Sequence, residues 1–224
     1  MDRISGLLKI LLPFVLITMV VYLFYLKSTK NRVLKTSEDL VYIMNMVKTR
    51  HMSTVYKEFT ADYVAYSQFL PIDMKTRKEN GLYQIISRFG TKMEFMESPK
   101  TKAEHDEYTR LKADPALYKM QYHGLNAYIM SISKLHKKEC VWLAQTRWDR
   151  IIPTFIGLEA SYISSLHPYN GLDKLHNAVF MDTDGSAYSG SDKGVAQRRP
   201  LTEREAEKAC RCAMRSCTFA IKVY

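Results

Sequence analysis

The first hydrophobic segment of the chain is long enough to cross a lipid bilayer. Residues 10–26 (ILLPFVLITMVVYLFYL) carry no charge, and the apolar run reaches 20 residues when it starts at Leu7 and includes Lys9. At about 1.5 Å per residue, such a helix spans roughly 30 Å, the thickness of the hydrocarbon core. A secretory signal peptide usually has a shorter apolar core followed by a small-residue cleavage site. The pattern therefore predicts a retained transmembrane helix over residues 7–26.

A second apolar pattern follows, with the spacing of an amphipathic helix. Its apolar stripe consists of Leu40, Ile43, Met44, Val47, Val55 and Phe59. Neither Gly nor Pro interrupts the chain from Phe14 through Leu70. We therefore predict one continuous helix of about 50 residues, roughly 75 Å long, with an amphipathic stalk over residues 27–60. The stripe should pack on the domain that covers it.

The rest of the chain, residues 61–224, has the pattern of a mixed globular head. Apolar and polar residues alternate as in half-buried strands over 92–97, 127–135 and 217–224. Residues 139–152 have helical spacing, and Thr202 with Glu205 fits a capping box before a further helix. Residues 98–118 and 161–200 are polar and predict connections. The order predicts an α+β fold in which an antiparallel sheet packs on the long helix.

The composition indicates the size of the head and the net charge of the protein. After the membrane segment and the stalk, about 165 residues remain, enough for one domain with its own core. The formal net charge is +10, which favours anionic partners such as lipid headgroups, nucleic acid or acidic proteins. The basic residues are scattered, however, and a solvated surface explains the same charge.

The four cysteines have more than one interpretation. Three lie close together, at Cys210, Cys212 and Cys217, and Cys140 is far away. An even number favours disulfides in an oxidising compartment, although reduced thiols would fit the count equally well. Four thiolates could also hold zinc, but the C-x-C-x4-C spacing differs from the usual paired C-x2-C ligands.

No catalytic motif is present in the sequence. There is no Walker loop, no dinucleotide glycine motif, no G-x-S-x-G elbow and no H-E-x-x-H helix. Residues 182–186 (DTDGS) resemble the start of a calcium loop, but Gly is fourth and Lys193 stands where the twelfth-position Glu belongs. We therefore predict a non-enzymatic protein without cofactor or metal.

The arrangement resembles the type IV pilin fold, especially type IVb-like pilins and minor pilins. Gly6 precedes the apolar run after a short leader, as at a prepilin cleavage point. The helix is followed by Leu70-Pro71, by Asn80-Gly81 and by a strand, and then by a cysteine-bearing helix, a second cysteine and a terminal strand, as in that family. The resemblance covers nearly the whole chain.

This resemblance implies several residue roles. Residues 1–6 would form a cytoplasmic leader cleaved between Gly6 and Leu7. Cys140 would pair with Cys210, which leaves Cys212 and Cys217 for a second bridge, although a Cys140–Cys217 pair stays open. The helix would assemble with other pilin-like subunits along a face that contains Leu11, Phe14, Val15, Leu40, Ile43 and Val47. Leu11 stands where most pilins carry Glu, which implies either a different assembly role, as in one branch of minor tip pilins that also lacks it, or no processing of the leader.

The orientation of the head has conflicting signals. The segment is preceded by Arg3 and Lys9 but followed by Lys27, Lys30, Arg32 and Lys35, so the positive-inside rule alone would place the head in the cytoplasm. The cysteine placement favours a periplasmic or extracellular head on a single-pass inner-membrane protein. The alternative function is a membrane-tethered basic module of a secretion or conjugation apparatus that holds DNA or an acidic partner.

Overall fold

A single long helix dominates the structure. A computed structural model of the chain describes residues 2–50, 55–98, 102–152, 155–161, 179–180, 202–210, 212 and 217–223. Helix α1 runs over Asp2–Arg50, 49 residues, and contains Pro13. It continues unbroken between Leu26 and Leu40, so the predicted joining of the membrane segment and the stalk in one helix is confirmed.

The helix ends earlier than the apolar stripe predicted. We expected it to continue to residue 60, but α1 stops at Arg50 and Val55–Thr60 is not helical. Tyr56 instead exchanges two backbone hydrogen bonds with Leu125, at 2.7 and 2.9 Å. These long-range bonds replace helical ones, because a backbone N–H can donate to only one well-aligned partner at a time. Phe59, whose spacing suggested a helix, reaches the core from this irregular segment.

The head that follows is built on an antiparallel sheet. Short helix α2 covers Ala61–Tyr66. The remaining elements are β1 (Lys75–Glu79), β2 (Leu82–Ile86), β3 (Lys92–Ser98), α3 (Lys102–Ala113), α4 (Pro115–Gln121), β4 (Ala127–Leu135), α5 (Lys137–Gln145), α6 (Trp148–Ile151), β5 (Phe155–Ser161), β6 (Val179–Phe180), α7 (Glu203–Ala209) and β7 (Cys217–Val223). The described strands form one sheet in the order β1-β2-β3-β4-β7-β5-β6, and every pairing is antiparallel. The predicted α+β class is confirmed.

Elements with an apolar face were predicted more successfully than polar ones. β3, β4 and β7 lie where alternation placed them. The predicted connection over 98–118 was wrong, because it contains α3 and most of α4. α3 is polar, and α4 has no fully buried residue among those described. β1 (KTRKE) was also missed, since it is an edge strand whose side chains are almost all exposed.

The core lies between α1 and the sheet. Leu40, Ile43 and Val47 on α1 are at most 1% exposed and belong to the same buried cluster as the inner residues of β4 and β7. Trp148 is fully buried, donates from Nε1 to the Leu143 carbonyl at 2.8 Å and packs against Phe219 with ring centroids 5.7 Å apart. The second half of α1 is therefore an integral part of the head.

Candidate assembly helix and its junction with the head

The first half of α1 is largely free of protein contacts over residues 11–25, the part of that half whose side chains are described. Every residue over 11–25 is exposed, and the large apolar side chains there are between 42% and 69% exposed. An 18-residue window of the helix has a mean hydropathy of 1.9 and none of it is buried. An exposed apolar surface of this extent marks an interaction site for membrane or protein. The helix is long and apolar enough to be a single-pass membrane anchor.

The Thr18 hydroxyl, in the middle of this half, is satisfied within the helix. Thr18 donates from its hydroxyl to the carbonyl oxygens of Phe14 at 3.0 Å and Val15 at 2.9 Å. A hydroxyl in the hydrocarbon core needs a hydrogen-bond acceptor within the protein, because no water is present there to accept its hydrogen bond. The side-chain chemistry of the segment therefore suits an apolar environment as well as its hydropathy does.

The structure divides the predicted assembly face into two parts. Leu11, Phe14 and Val15 are 56%, 66% and 59% exposed and remain available to partners. The other three members of the predicted face, which lie in the second half of α1, are buried in the subunit's own core. Their part in that prediction is corrected: they pack in the core between α1 and the sheet, so they are not available to lipid or to neighbouring subunits.

The head reaches the helix at the end of the apolar run. Lys138, at the start of α5, donates from Nζ to the Tyr22 hydroxyl at 2.7 Å, and the same Nζ lies 4.7 Å from the centre of the Tyr22 ring. Thr29 is the first fully buried residue of α1 among those whose side chains are described. The boundary between the bare and the covered helix therefore lies between Tyr22 and Thr29.

An ion-pair cluster fixes the covered half of α1 to the sheet. Asp39 lies on the buried side of α1 with its side chain 6% exposed, and it accepts from Arg88 Nε at 2.6 Å and Nη2 at 2.8 Å. Arg88 Nη2 also donates to Asp73 Oδ1 at 2.8 Å. The hydrogen bonds that Arg88 donates to the two carboxylates raise the pKa of Arg88, and the bond to Asp73 lowers the pKa of Asp73.

The sequence pattern indicates only one partner of this ion-pair cluster, Asp39. Asp39 is a charge beside the apolar stripe of a helix, which indicates a buried partner. Arg88 is 49 residues away, in the turn between β2 and β3, and no local pattern connects the two. Neither Asp39 nor Arg88 was therefore predicted as part of an ion pair.

Two disulfides tie the C-terminal part of the head together. Cys140 of α5 is bonded to Cys210, just after α7, across 70 positions with Cα atoms 5.9 Å apart. Cys212 is bonded to Cys217 with Cα atoms 5.3 Å apart. These are the pairs that the family resemblance implied. The sulfur atoms of Cys140, Cys210 and Cys217 lie within 4.8 Å of one another, but sulfurs bonded in disulfides lack the thiolate charge that binds zinc.

The described features define a class of protein: a head clamped on the second half of one long helix, whose first half is bare and apolar. No family model matches the chain, and no curated protein matches it. Among solved structures, the crystal structure of a type IVb pilin from Salmonella typhi is similar, with a TM-score of 0.44, 10% identity, and coverage of 81% of this chain and 93% of the pilin. The comparisons give no support to a nucleic-acid partner.

Proposed function

We propose that this protein is a membrane-anchored, pilin-like structural subunit that acts through contacts along the bare half of α1. One observation carries the proposal: the side chains of α1 over 11–25 are exposed and mostly apolar, whereas one face of the same helix, which includes Val33, Leu40, Ile43 and Val47, is buried in the head. Lipid can cover the bare half while the subunit is stored. Apolar helices of neighbouring subunits can cover it after assembly, because both environments exclude water.

The proposed role is accessory. Leu11 offers no carboxylate to pair with a charged amine of a neighbouring helix, and an unpaired charge in an apolar bundle is costly. In a fibre, a repeating subunit would need this ion pair at every helix contact. A subunit without it is better suited to a position that occurs once, such as the fibre tip. The system would be a type IV pilus or a related secretion or conjugation apparatus.

The proposed location is the inner membrane, with the head on the periplasmic side. Support comes from Cys140, Cys210 and Cys217, which are fully buried and bonded in the folded head. Disulfides of this kind persist in oxidising compartments. Cleavage between Gly6 and Leu7 belongs to the same proposal. Mass spectrometry of the protein extracted from membranes without reductant would measure both the N-terminus and the cysteine pairing.

The assembly contact can be tested by photo-crosslinking in the native membrane. A benzophenone amino acid placed at Phe14, which is 66% exposed on the bare half, should give protein adducts that contain a second helical subunit. The matched control is the same amino acid at Tyr66, an aromatic position on the head that is 80% exposed. It reports random collisions and should give fewer adducts.

The proposal has a clear contrary outcome. Phe14 adducts that contain only lipid, in cells in which the whole apparatus is expressed, would show that the bare half is an anchor and nothing more. Equal protein adducts at Phe14 and Tyr66 would contradict assembly through the helix, because the apolar half would then have no preferred partner.

A further inference from the structure

A basic groove lies where the head meets the end of the apolar run. It has a volume of about 500 Å³ and lies between α1 and the turn that follows β2. The side chains along it include Lys27, Ser28, Asn31, Arg32, Lys35 and Arg88. Among the described residues, no carboxylate lines this groove. The lining therefore offers four cations and two neutral hydrogen-bonding groups to a ligand.

The charge of these cations is only partly offset. Arg88 is neutralised by its two aspartates. Arg32 has a single long ion pair, 3.6 Å to Glu139, and its buried Nε has no hydrogen-bond partner within the described parts of the chain. Lys27 and Lys35 are exposed and form no ion pair within the described part of the chain, although the charge of Lys35 contributes to the lowered pKa of Asp73. The groove therefore keeps a positive potential available to an anion.

The groove also has an apolar end. Lys27, Asn31 and Lys35 are spaced four residues apart, so they lie along one side of the helix. Phe24, which also lines the groove, is 69% exposed and lies one turn closer to the membrane. The Tyr22–Lys138 contact places the edge of the head at this level. The positive charge is thus positioned at the end of the apolar segment, where headgroup phosphates begin.

We propose that this groove binds the phosphate of an anionic phospholipid headgroup, with the acyl chains lying beside Phe24 and the bare half of α1. The inference rests on the membrane-anchor part of the proposed function. The lysine ammonium groups and the Arg32 guanidinium supply charge-assisted hydrogen bonds to phosphate oxygens. Ser28 and Asn31 add neutral donors. The same contact gives the basic residues after the apolar run a role in either orientation of the head.

The test measures lipid selectivity of the full chain reconstituted in phosphatidylcholine vesicles. Spin-labelled phosphatidylglycerol and spin-labelled phosphatidylcholine are compared by the immobilised fraction of each label. The double variant Lys27→Gln/Lys35→Gln should lower the preference for phosphatidylglycerol by about fivefold per lysine. The matched control is Lys48→Gln/Arg50→Gln, which removes the same charge from the same helix, about 20 Å or more beyond Lys35 and outside the groove. It should change the preference by less than about twofold, in line with distant screened charges.

Each contrary result has a distinct meaning. Equal losses in the two double variants would overturn the groove, because the preference would then arise from diffuse charge. A wild-type chain that inserts but does not prefer phosphatidylglycerol overturns the groove and leaves the anchor standing. A chain that fails to insert overturns both. In a further arm, inorganic phosphate and chloride are added at equal ionic strength. If phosphate lowers the preference for phosphatidylglycerol more than chloride does, the groove binds soluble phosphate and the lipid assignment is overturned.

Discussion

Removing the Cys140–Cys210 disulfide should destabilise the head far more than removing the Cys212–Cys217 disulfide. The long link spans 70 positions, and the chain-entropy model assigns such a closed loop about 4 kcal/mol of stability. The short link spans 5 positions and is worth about 2 kcal/mol on the same model. The expected difference of about 2 kcal/mol is a large fraction of the roughly 5–15 kcal/mol by which a domain is usually stable.

Both partners of a bridge must be replaced together. In a Cys140→Ala single variant, the free Cys210 thiol would lie within 4.8 Å of the Cys217 sulfur, close enough to exchange. We therefore compare Cys140→Ala/Cys210→Ala with Cys212→Ala/Cys217→Ala, each in the full chain in detergent micelles. Urea unfolding followed by the fluorescence of Trp142 and Trp148, the second of which is fully buried, gives the free energy of unfolding.

The reasoning would be refuted by equal losses in the two double variants, or by a larger loss from the short bridge. The slope of unfolding free energy against urea is fitted separately for each variant, because the loss of a cross-link lets the unfolded chain expand and expose more surface.

Three further substitutions test the packing and the ion pairs by the same urea assay. Ile43→Ala, at a fully buried site, should lose about 2–5 kcal/mol, whereas Leu34→Ala, 59% exposed on the same helix, should change stability by less than about 0.5 kcal/mol; equal effects would contradict the assigned face of α1. Gly124→Ala should be destabilising, because φ is +111° and the new Cβ would lie 2.6 Å from a backbone carbonyl oxygen; a neutral result would contradict this turn. Arg88 holds the pKa of Asp73 below its ordinary value, so the carboxylate stabilises the fold above about pH 4 and this contribution is lost as the pH falls through the lowered pKa. Asp73→Asn should therefore weaken the acid dependence of unfolding, and an unchanged acid limb would argue against the ion pair.

The candidate site was predictable where its signal is local. The bare half of α1 follows from an uninterrupted apolar run, and the continuity of α1 follows from the absence of Gly and Pro. The ion pair of Asp39 with Arg88 and the basic groove were not predictable. Each depends on bringing α1 against the turn after β2, and charges on separate elements leave no periodic signal of their proximity.

Local periodicity was sufficient to predict the elements whose burial is periodic: the long helix with its stripe at Leu40, Ile43 and Val47, and strands β3, β4 and β7. Contacts between distant parts of the chain set the end of α1, the pairing of β1 at the sheet edge and the half of α1 that stays exposed. The physical reason is the range of the interactions. The apolar pattern of a helix or strand depends on residues only a few positions apart. The backbone hydrogen bonds between Tyr56 and Leu125, which follow the end of α1, join residues far apart in the chain.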